Sequence, residues 1–222
     1  MLGSSICILM VYLDRPLIEW LSQHQPDWLY HGFGHVTQWG EASRWFVILG
    51  SLLLLSQCAI WLKIPQKIAD STPKIFKPLK NLKAGLLPLR NASLLSLISL
   101  LTSGLLVNAL KILAGRHRPL HWLRDGVYGF EPLQGLMHNV NSFPSGHSQV
   151  AGCVTTSLCL LFPRFCGLWI TLGSLIVISR VIELDHYPSD VVAGSALGVA
   201  MTLWIYRLAS QRQGRSSNIG KS

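Results

Sequence analysis

Apolar residues in this chain gather into runs long enough to cross a bilayer. Trp45 to Leu62 is uncharged over 18 residues, and Asn91 to Leu110 is uncharged over 20 before stopping at Lys111. A membrane helix needs about 20 apolar residues to traverse roughly 30 Å of hydrocarbon. Three more runs follow: Ser148 to Phe162, closed by Pro163; Phe165 to Ser179, continuing through Arg180 to about Leu184; and Val191 to Tyr206, closed by Arg207. Trp45 and Trp61 bracket the first run as interfacial aromatics do. Leu2 to Leu13 is also apolar, but its 12 residues give only about 18 Å of helix before Asp14, Arg15 and Pro16 interrupt it. It reads as a short, tilted first span, or as one that starts upstream of Met1. A signal peptide would need a basic n-region and a small-residue cleavage site, and neither is visible. The pattern predicts an all-α integral membrane bundle of six transmembrane helices. It forms one unit over residues 1–222, with its core at about 91–210 and a basic loop at 63–90.

Composition agrees. Half the chain is hydrophobic and 13% is charged, where a soluble domain is nearer about 25% charged. So apolar a chain is not disordered, and its 19 Gly and 11 Pro carry no collagen-like period. A net charge of +9 raises the question of nucleic acid. The charges are sparse and lie between apolar runs, which is the signature of membrane topology rather than of phosphate-backbone binding. The five cysteines, Cys7, Cys58, Cys153, Cys159 and Cys166, form no CxxC pair. They read as small hydrophobes, with no disulfide and no zinc site.

The basic residues orient the bundle. Lys63 to Arg90, the Pro163-Arg164 turn and the tail after Tyr206 together hold 12 basic residues and one acid, Asp70. The rest of the chain holds seven basic residues and nine acids. Even numbers of spans separate the three basic regions, so the positive-inside rule places all three in the cytoplasm. The segments Asp14–Arg44, Lys111–His147 and Asp185–Asp190, which carry all eight histidines, then face outside.

Three clusters with chemical potential sit at the outer helix ends. In the first, Lys111 and Arg118 are seven apart, so two helical turns would place both cations on one face. Pro119 should end that helix at the residue before it. The second is Pro144-Ser145-Gly146-His147-Ser148, at the start of a span. The free N–H groups and positive dipole end of a helix N-terminus suit an anion, and Gly146 lets a ligand approach the backbone. In the third, His186 and Asp190 are four apart behind Ser179 and Arg180. A carboxylate there can fix the imidazole tautomer and leave the other nitrogen free to attack. Each cluster alone has a bland reading: a snorkelling basic end, an ordinary N-cap, a capping Asp. Together, three cations, two histidines, a carboxylate and a helix N-terminus suit phosphoryl transfer. No carboxylate cluster of metal-binding type accompanies them, so no metal and no cofactor is expected.

The ordered trio resembles the signature of the type 2 phosphatidic acid phosphatase superfamily, whose pattern is K-x6-R-P, P-S-G-H and S-R-x5-H-x3-D. Every fixed position is matched: Lys111, Arg118, Pro119; Pro144, Ser145, Gly146, His147; Ser179, Arg180, His186, Asp190. The resemblance implies that His186 attacks phosphorus, Asp190 orients it and His147 protonates the leaving oxygen. It also implies that Lys111, Arg118, Arg180, Ser145 and Gly146 hold the phosphoryl oxygens. The substrate would be a membrane lipid phosphate monoester or diphosphate, hydrolysed at the outer face of a cytoplasmic membrane, with the bilayer as the other partner and no nucleic acid. The alternatives are a lipid-to-lipid phosphotransferase and a non-catalytic lipid-binding or transport protein.

Other residues receive weaker assignments. Glu183 and Asp185 put two acids just before His186, a feature less typical of the family that the chain resembles; they read as solvating the loop or as disfavouring anionic groups near the site. His24, His31 and His35 read as surface histidines. His117 and His121 sit among arginines, a poor place for a cation, and Arg116 reads as an auxiliary phosphate contact. The apolar segment with Trp122, Tyr128, Phe130, Leu133, Leu136 and Met137 would pack on the bundle or line a lipid chain. Lys63–Arg90 reads as a topology signal or as short amphipathic pieces on the inner leaflet, kept short by Pro65, Pro73, Pro78 and Pro88.

Overall fold

The computed structural model describes residues 2–61, 77–137 and 140–219. Its helices are α1 (Leu2–Tyr12), α2 (Asp14–His24), α3 (Asp27–Thr37), α4 (Ala42–Trp61), α5 (Lys77–Ala114), α6 (Pro119–Asp125), α7 (Gly146–Leu161), α8 (Cys166–Ile182) and α9 (Pro188–Ile219). The result is an all-α membrane bundle. Among the described residues four helical stretches are long and apolar enough to cross a bilayer: Ala42–Trp61, Leu86–Ala114, Pro163–Ile182 and Pro188–Arg212. The expected six therefore become four full-length spans, the 16-residue α7 and the 11-residue α1.

The helices are inverted relative to a soluble bundle. On α5, Ser96, Ser99 and Ser103 recur at helical spacing and are buried, while Leu94, Leu101 and Leu105 on the other side are exposed. Lipid is as apolar as leucine, so membrane helices associate through small residues that let backbones approach. Buried hydroxyls bond to backbone one turn back on their own helices: Ser99 donates to Leu95 O at 2.8 Å and Thr202 to Gly198 O at 2.8 Å.

Helix α7 lies at the centre, packed on α9, α8 and α5, and nine of its 16 residues are buried. Burial on several sides explains how so short a helix serves as an inner one. Its contact with α9 is made through glycine. A Cβ on Gly152 would stand 2.4 Å from Ser195 O, one on Gly198 would stand 2.2 Å from Gln149 O, and one on Gly194 would stand 2.2 Å from Ser145 O. No side chain fits at those distances, so the two backbones are as close as glycine permits.

Several expectations need correction. The segment from Asp14 to Arg44 is not a loop but α2, α3 and a 3-10 turn, Gln38–Gly40. Helix α5 begins at Lys77, so its second half of the basic loop is helical and Pro88 lies inside the helix rather than ending it. The amphipathic reading of residues 63–76 lies outside the described residues. Cys159 and Cys166 are paired as a disulfide across the α7–α8 turn, with Cα atoms 4.6 Å apart. The Pro163–Phe165 3-10 turn reverses the chain there and brings together two cysteines that spacing alone did not connect. In the segment 111–147 Trp122 and Tyr128 pack against a buried group of Ile18, Val181 and Tyr187, whereas Leu133, Leu136 and Met137 are exposed.

Candidate active site

The first cluster converges by a different route from the one the spacing suggests. Helix α5 does not continue to Arg118 but stops at Ala114, where Gly115 turns left-handed with φ +57°. Only glycine fits there, because a Cβ would stand 1.7 Å from Glu131 O. The chain then runs extended, Arg116 pairing with Phe130 in an isolated antiparallel bridge, until Pro119 starts α6. Lys111 and Arg118 still meet, through Asn141. Lys111 Nζ donates to Asn141 O at 2.8 Å, and Arg118 donates to Asn141 Oδ1 from Nε at 3.1 Å and from Nη2 at 2.8 Å.

Ser145 is the N-cap of α7. Its Oγ accepts from Ser148 N at 3.4 Å and from Ser148 Oγ at 3.1 Å, which leaves its own hydroxyl hydrogen to be donated elsewhere. Its backbone N–H donates to Asp190 O at 3.1 Å, tying the start of α7 to the start of α9. Gly146 and His147 form the first turn, where backbone N–H groups have no intrahelical acceptor. His147 rests on Gly40: a Cβ at Gly40 would come within 2.9 Å of both Cβ and Cδ2 of His147 and 3.0 Å of Ile176 Cγ2.

His186 and Asp190 face each other across the entrance to α9. Nδ1 of His186 lies 3.8 Å from Asp190 Oδ2, beyond hydrogen-bond range. Ser142 sits between them, donating to Oδ2 at 2.6 Å with its Oγ 3.4 Å from Nδ1. Nδ1 therefore faces the carboxylate, and Nε2 is the nitrogen left for a ligand. Burial pushes His186 down to about 4, against the pull of Asp190. His147, ahead of the 148–162 run, is held at about 3 by burial and by the charges of Arg180 and His186. Burial thus favours the neutral form of both imidazoles.

The other carboxylate oxygen of Asp190 belongs to Arg116. Nη1 of Arg116 lies 2.5 Å from Asp190 Oδ1, and Nη2 lies 2.6 Å from Asp14 Oδ2; all three side chains are wholly buried. Asp14 also accepts from the backbone N–H of Ser189 at 3.0 Å, in the first turn of α9. Tyr128 receives Nη2 at 2.8 Å. Arg116 is therefore no phosphate contact but the partner of Asp190. No local pattern points to this pair, since Asp14 lies 102 positions away and reads as a polar break after a short span.

Arg180, near the end of α8, is engaged at both terminal nitrogens. Nη1 meets Glu183 Oε2 at 2.5 Å and Thr37 Oγ1, and Nη2 meets Asp185. Its Nε is buried with no hydrogen-bond partner among the described residues. Arg118 Nη1 reaches the other oxygen of Asp185 at 3.4 Å. The eight residues to which the resemblance gives roles thus lie at the adjoining ends of α5, α7, α8 and α9, at the start of α6 (Arg118) and in the α8–α9 turn (His186). Asn141, Ser142, Arg116, Asp14, Thr37 and Gly40 complete the surroundings and were not anticipated in these positions. Among the described residues no three His, Cys, Asp or Glu side chains are grouped as ligands of a metal ion.

Residues 92–213, which carry all three motifs, match the model of the PAP2 superfamily. The chain belongs to the PAP2 superfamily. Similar proteins include a lipid A 1-phosphatase of Rhizobium johnstonii, 43% identical over 102 residues, or 46% of this chain and 41% of that protein. A lipid A 1-phosphatase of Rhizobium etli is 44% identical over 96 residues, 43% of this chain and 41% of that protein. The chain thus spans about two fifths of the length of these relatives. Among solved structures, the first transmembrane PAP2 type phosphatidylglycerolphosphate phosphatase from Bacillus subtilis superposes with a TM-score of 0.59 at 21% identity, over 95% of this chain and 94% of that one. At that identity the likeness is one of fold. It extends the common PAP2 architecture beyond the motif region to α1–α4.

Proposed function

We propose that this PAP2 protein hydrolyses a lipid phosphate through a phosphohistidine on His186. The observation that carries the reading is the meeting of the buried imidazole of His186 and the half-buried imidazole of His147 with Lys111, Arg118 and Arg180 at one end of the bundle. Nε2 of His186 forms a bond to phosphorus while the bond from phosphorus to the lipid oxygen breaks, and that oxygen takes a proton from His147. Water then attacks the phosphohistidine, giving a proton to His147, and the P–N bond breaks to release inorganic phosphate and neutral His186. Asp190 stabilises the charge that develops on His186, much as a buried carboxylate stabilises a catalytic imidazolium. Lys111, Arg118, the Arg180 Nε, the Ser145 hydroxyl and the N–H groups at Gly146 face the phosphoryl oxygens.

Burial and the neighbouring cations disfavour a proton on His147 in the free protein, so the proton for the leaving oxygen comes with the substrate. A phosphate monoester carrying one proton can pass it to His147 on binding, and the bound dianion offsets the charges that hold His147 low.

An apolar cleft of about 350 Å³ begins at Gly146 and His147 and runs between Phe46, Leu101, Gly104 and Leu105. It supports a substrate with a hydrocarbon tail, whose head reaches the site from within the bilayer. The charge partition along the chain supports an outer-face site in a cytoplasmic membrane, which in a bacterium is periplasmic. The rhizobial relatives make the 1-phosphate of lipid A the first substrate to assay. The test is phosphate release from a panel of detergent-dispersed lipid phosphates and diphosphates, with and without an acceptor lipid. Release to water without acceptor is the expected result. Transfer only to the acceptor lipid would make the protein a phosphotransferase.

A further inference from the structure

The turn between α8 and α9 carries a residue that the reaction above does not use. Asp185 N and His186 N both donate to Arg180 O, each at 3.2 Å, so Asp185 is held one position before the nucleophile. Leu184, just before it, is left-handed with φ +57°. This conformation is unfavourable for a branched side chain, and such outliers persist where the surroundings over-determine them. The turn delivers the Asp185 carboxylate across two guanidiniums, Oδ1 to Arg118 Nη1 at 3.4 Å and Oδ2 to Arg180 Nη2. One oxygen per arginine is the arrangement in which two oxygens of a phosphoryl group would be held. The Arg118 and Arg180 side chains are 14% and 7% exposed, whereas that of Asp185 is 42% exposed. The cations are therefore fixed in the wall and the acid reaches in from the mouth.

We propose that Asp185 is an internal stand-in for the phosphoryl group. It occupies Arg118 and Arg180 in the empty site, is displaced by the substrate phosphate, and returns as phosphate leaves. This deepens the phosphatase reading and rests on it. Two arginines and a lysine in a largely buried pocket would otherwise retain a phosphate dianion. A carboxylate that competes for both guanidiniums lowers the affinity for any anion and assists product release. Glu183 is not part of this exchange, because it is only 12% exposed and shares Arg180 Nη1 with Thr37 on α3. Asp185 is thus a specificity-determining residue that sets anion affinity, and it takes no part in bond making.

The test is binding, which needs no turnover. Melting temperatures of the purified full chain in a neutral detergent are followed against inorganic phosphate and orthovanadate for the unmodified protein, Asp185→Asn and Asp185→Ser. A ligand at free concentration L that binds the folded state stabilises it by RT ln(1 + L/Kd), so a given rise in melting temperature is reached at a lower concentration the tighter the ligand binds. The expected result is that the same rise in melting temperature is reached at roughly tenfold lower phosphate in both variants, the scale of two partly exposed ion pairs that the anion need no longer replace. The constant for inhibition by phosphate should fall in parallel. Unchanged or weaker binding in the variants, with clear binding to the unmodified protein, overturns the role of Asp185 and leaves the phosphatase reading standing. No response to either anion in any of the three proteins overturns both.

Discussion

Arg116 and Asp190 meet inside the protein, Nη1 to Oδ1 at 2.5 Å, on the side of the carboxylate away from His186. One oxygen of Asp190 is committed to a buried guanidinium and the other is turned towards Ser142 and the imidazole. The orientation of the carboxylate is thus set from behind, and Asp14 in turn holds Arg116.

Replacing Arg116 by Lys should therefore lower kcat by roughly 10–100-fold, the usual cost of losing a partner that orients a functional group. KM for the lipid should change little, because Arg116 does not face the phosphate. Asp14→Asn should act in the same direction. Arg116→Ala leaves two buried carboxylates unpaired and should cost about 3–5 kcal/mol of stability. Steady-state kinetics and melting curves on the three variants separate these effects. A raised KM with unchanged kcat in Arg116→Lys would return Arg116 to the role of phosphate ligand.

Gly40 bears on His147 in a similar way. The Cβ of Gly40→Ala would stand 2.9 Å from two atoms of the imidazole side chain, with Ile176 behind it at 3.0 Å. His147 must shift, and a displacement of this size in a catalytic group lowers turnover by roughly 10²-fold. The expected change is in kcat, with phosphate binding retained. Wild-type kcat in Gly40→Ala would mean that His147 can move without consequence.

The pH profile follows from the two histidines. His186 is depressed to about 4 by burial and must be neutral to attack, so kcat/KM should rise as pH increases through about 4. His147, depressed to about 3, holds no proton in the free protein at higher pH. The proton then depends on the substrate phosphate, whose second ionisation lies near pH 6, so kcat/KM should fall again above about pH 6. A flat kcat/KM between pH 6 and 8 would show that His147 carries its own proton.

Gly194→Ala should destabilise the bundle rather than the chemistry directly. Its Cβ would stand 2.2 Å from Ser145 O, so α7 and α9 must separate. Because Ser145 N bonds Asp190 O at this contact, activity should fall together with the melting temperature. Full activity at a lowered melting temperature would show that the two helix starts are not coupled.

Much of the site was legible in the sequence, because its chemistry depends on residue types at short, fixed separations. Lys111 and Arg118, Ser145 to His147, and Arg180 to Asp190 each lie within one local stretch. What escaped notice depends on contacts between distant segments. Asp14 and Arg116 are 102 positions apart, and Thr37 and Arg180 are 143 apart. The spans were legible from apolar length alone, but their ends were not. Gly115 stops α5 four residues before Pro119, while Pro88 fails to stop it at all, since membrane helices tolerate proline where neighbours satisfy the freed carbonyl. Helices α2 and α3 were hidden by polar residues that read as loop, and the Cys159–Cys166 pair by a turn whose tightness the spacing did not reveal.

The central claim is that His186 takes the phosphoryl group. It is tested most directly by rapid quenching of the protein with a lipid phosphate labelled at phosphorus, in alkali where phosphohistidine survives, followed by location of the label. The account predicts label on the peptide containing His186, and neither label nor phosphate release in a folded His186→Ala variant. Near-normal phosphate release from His186→Ala would contradict it.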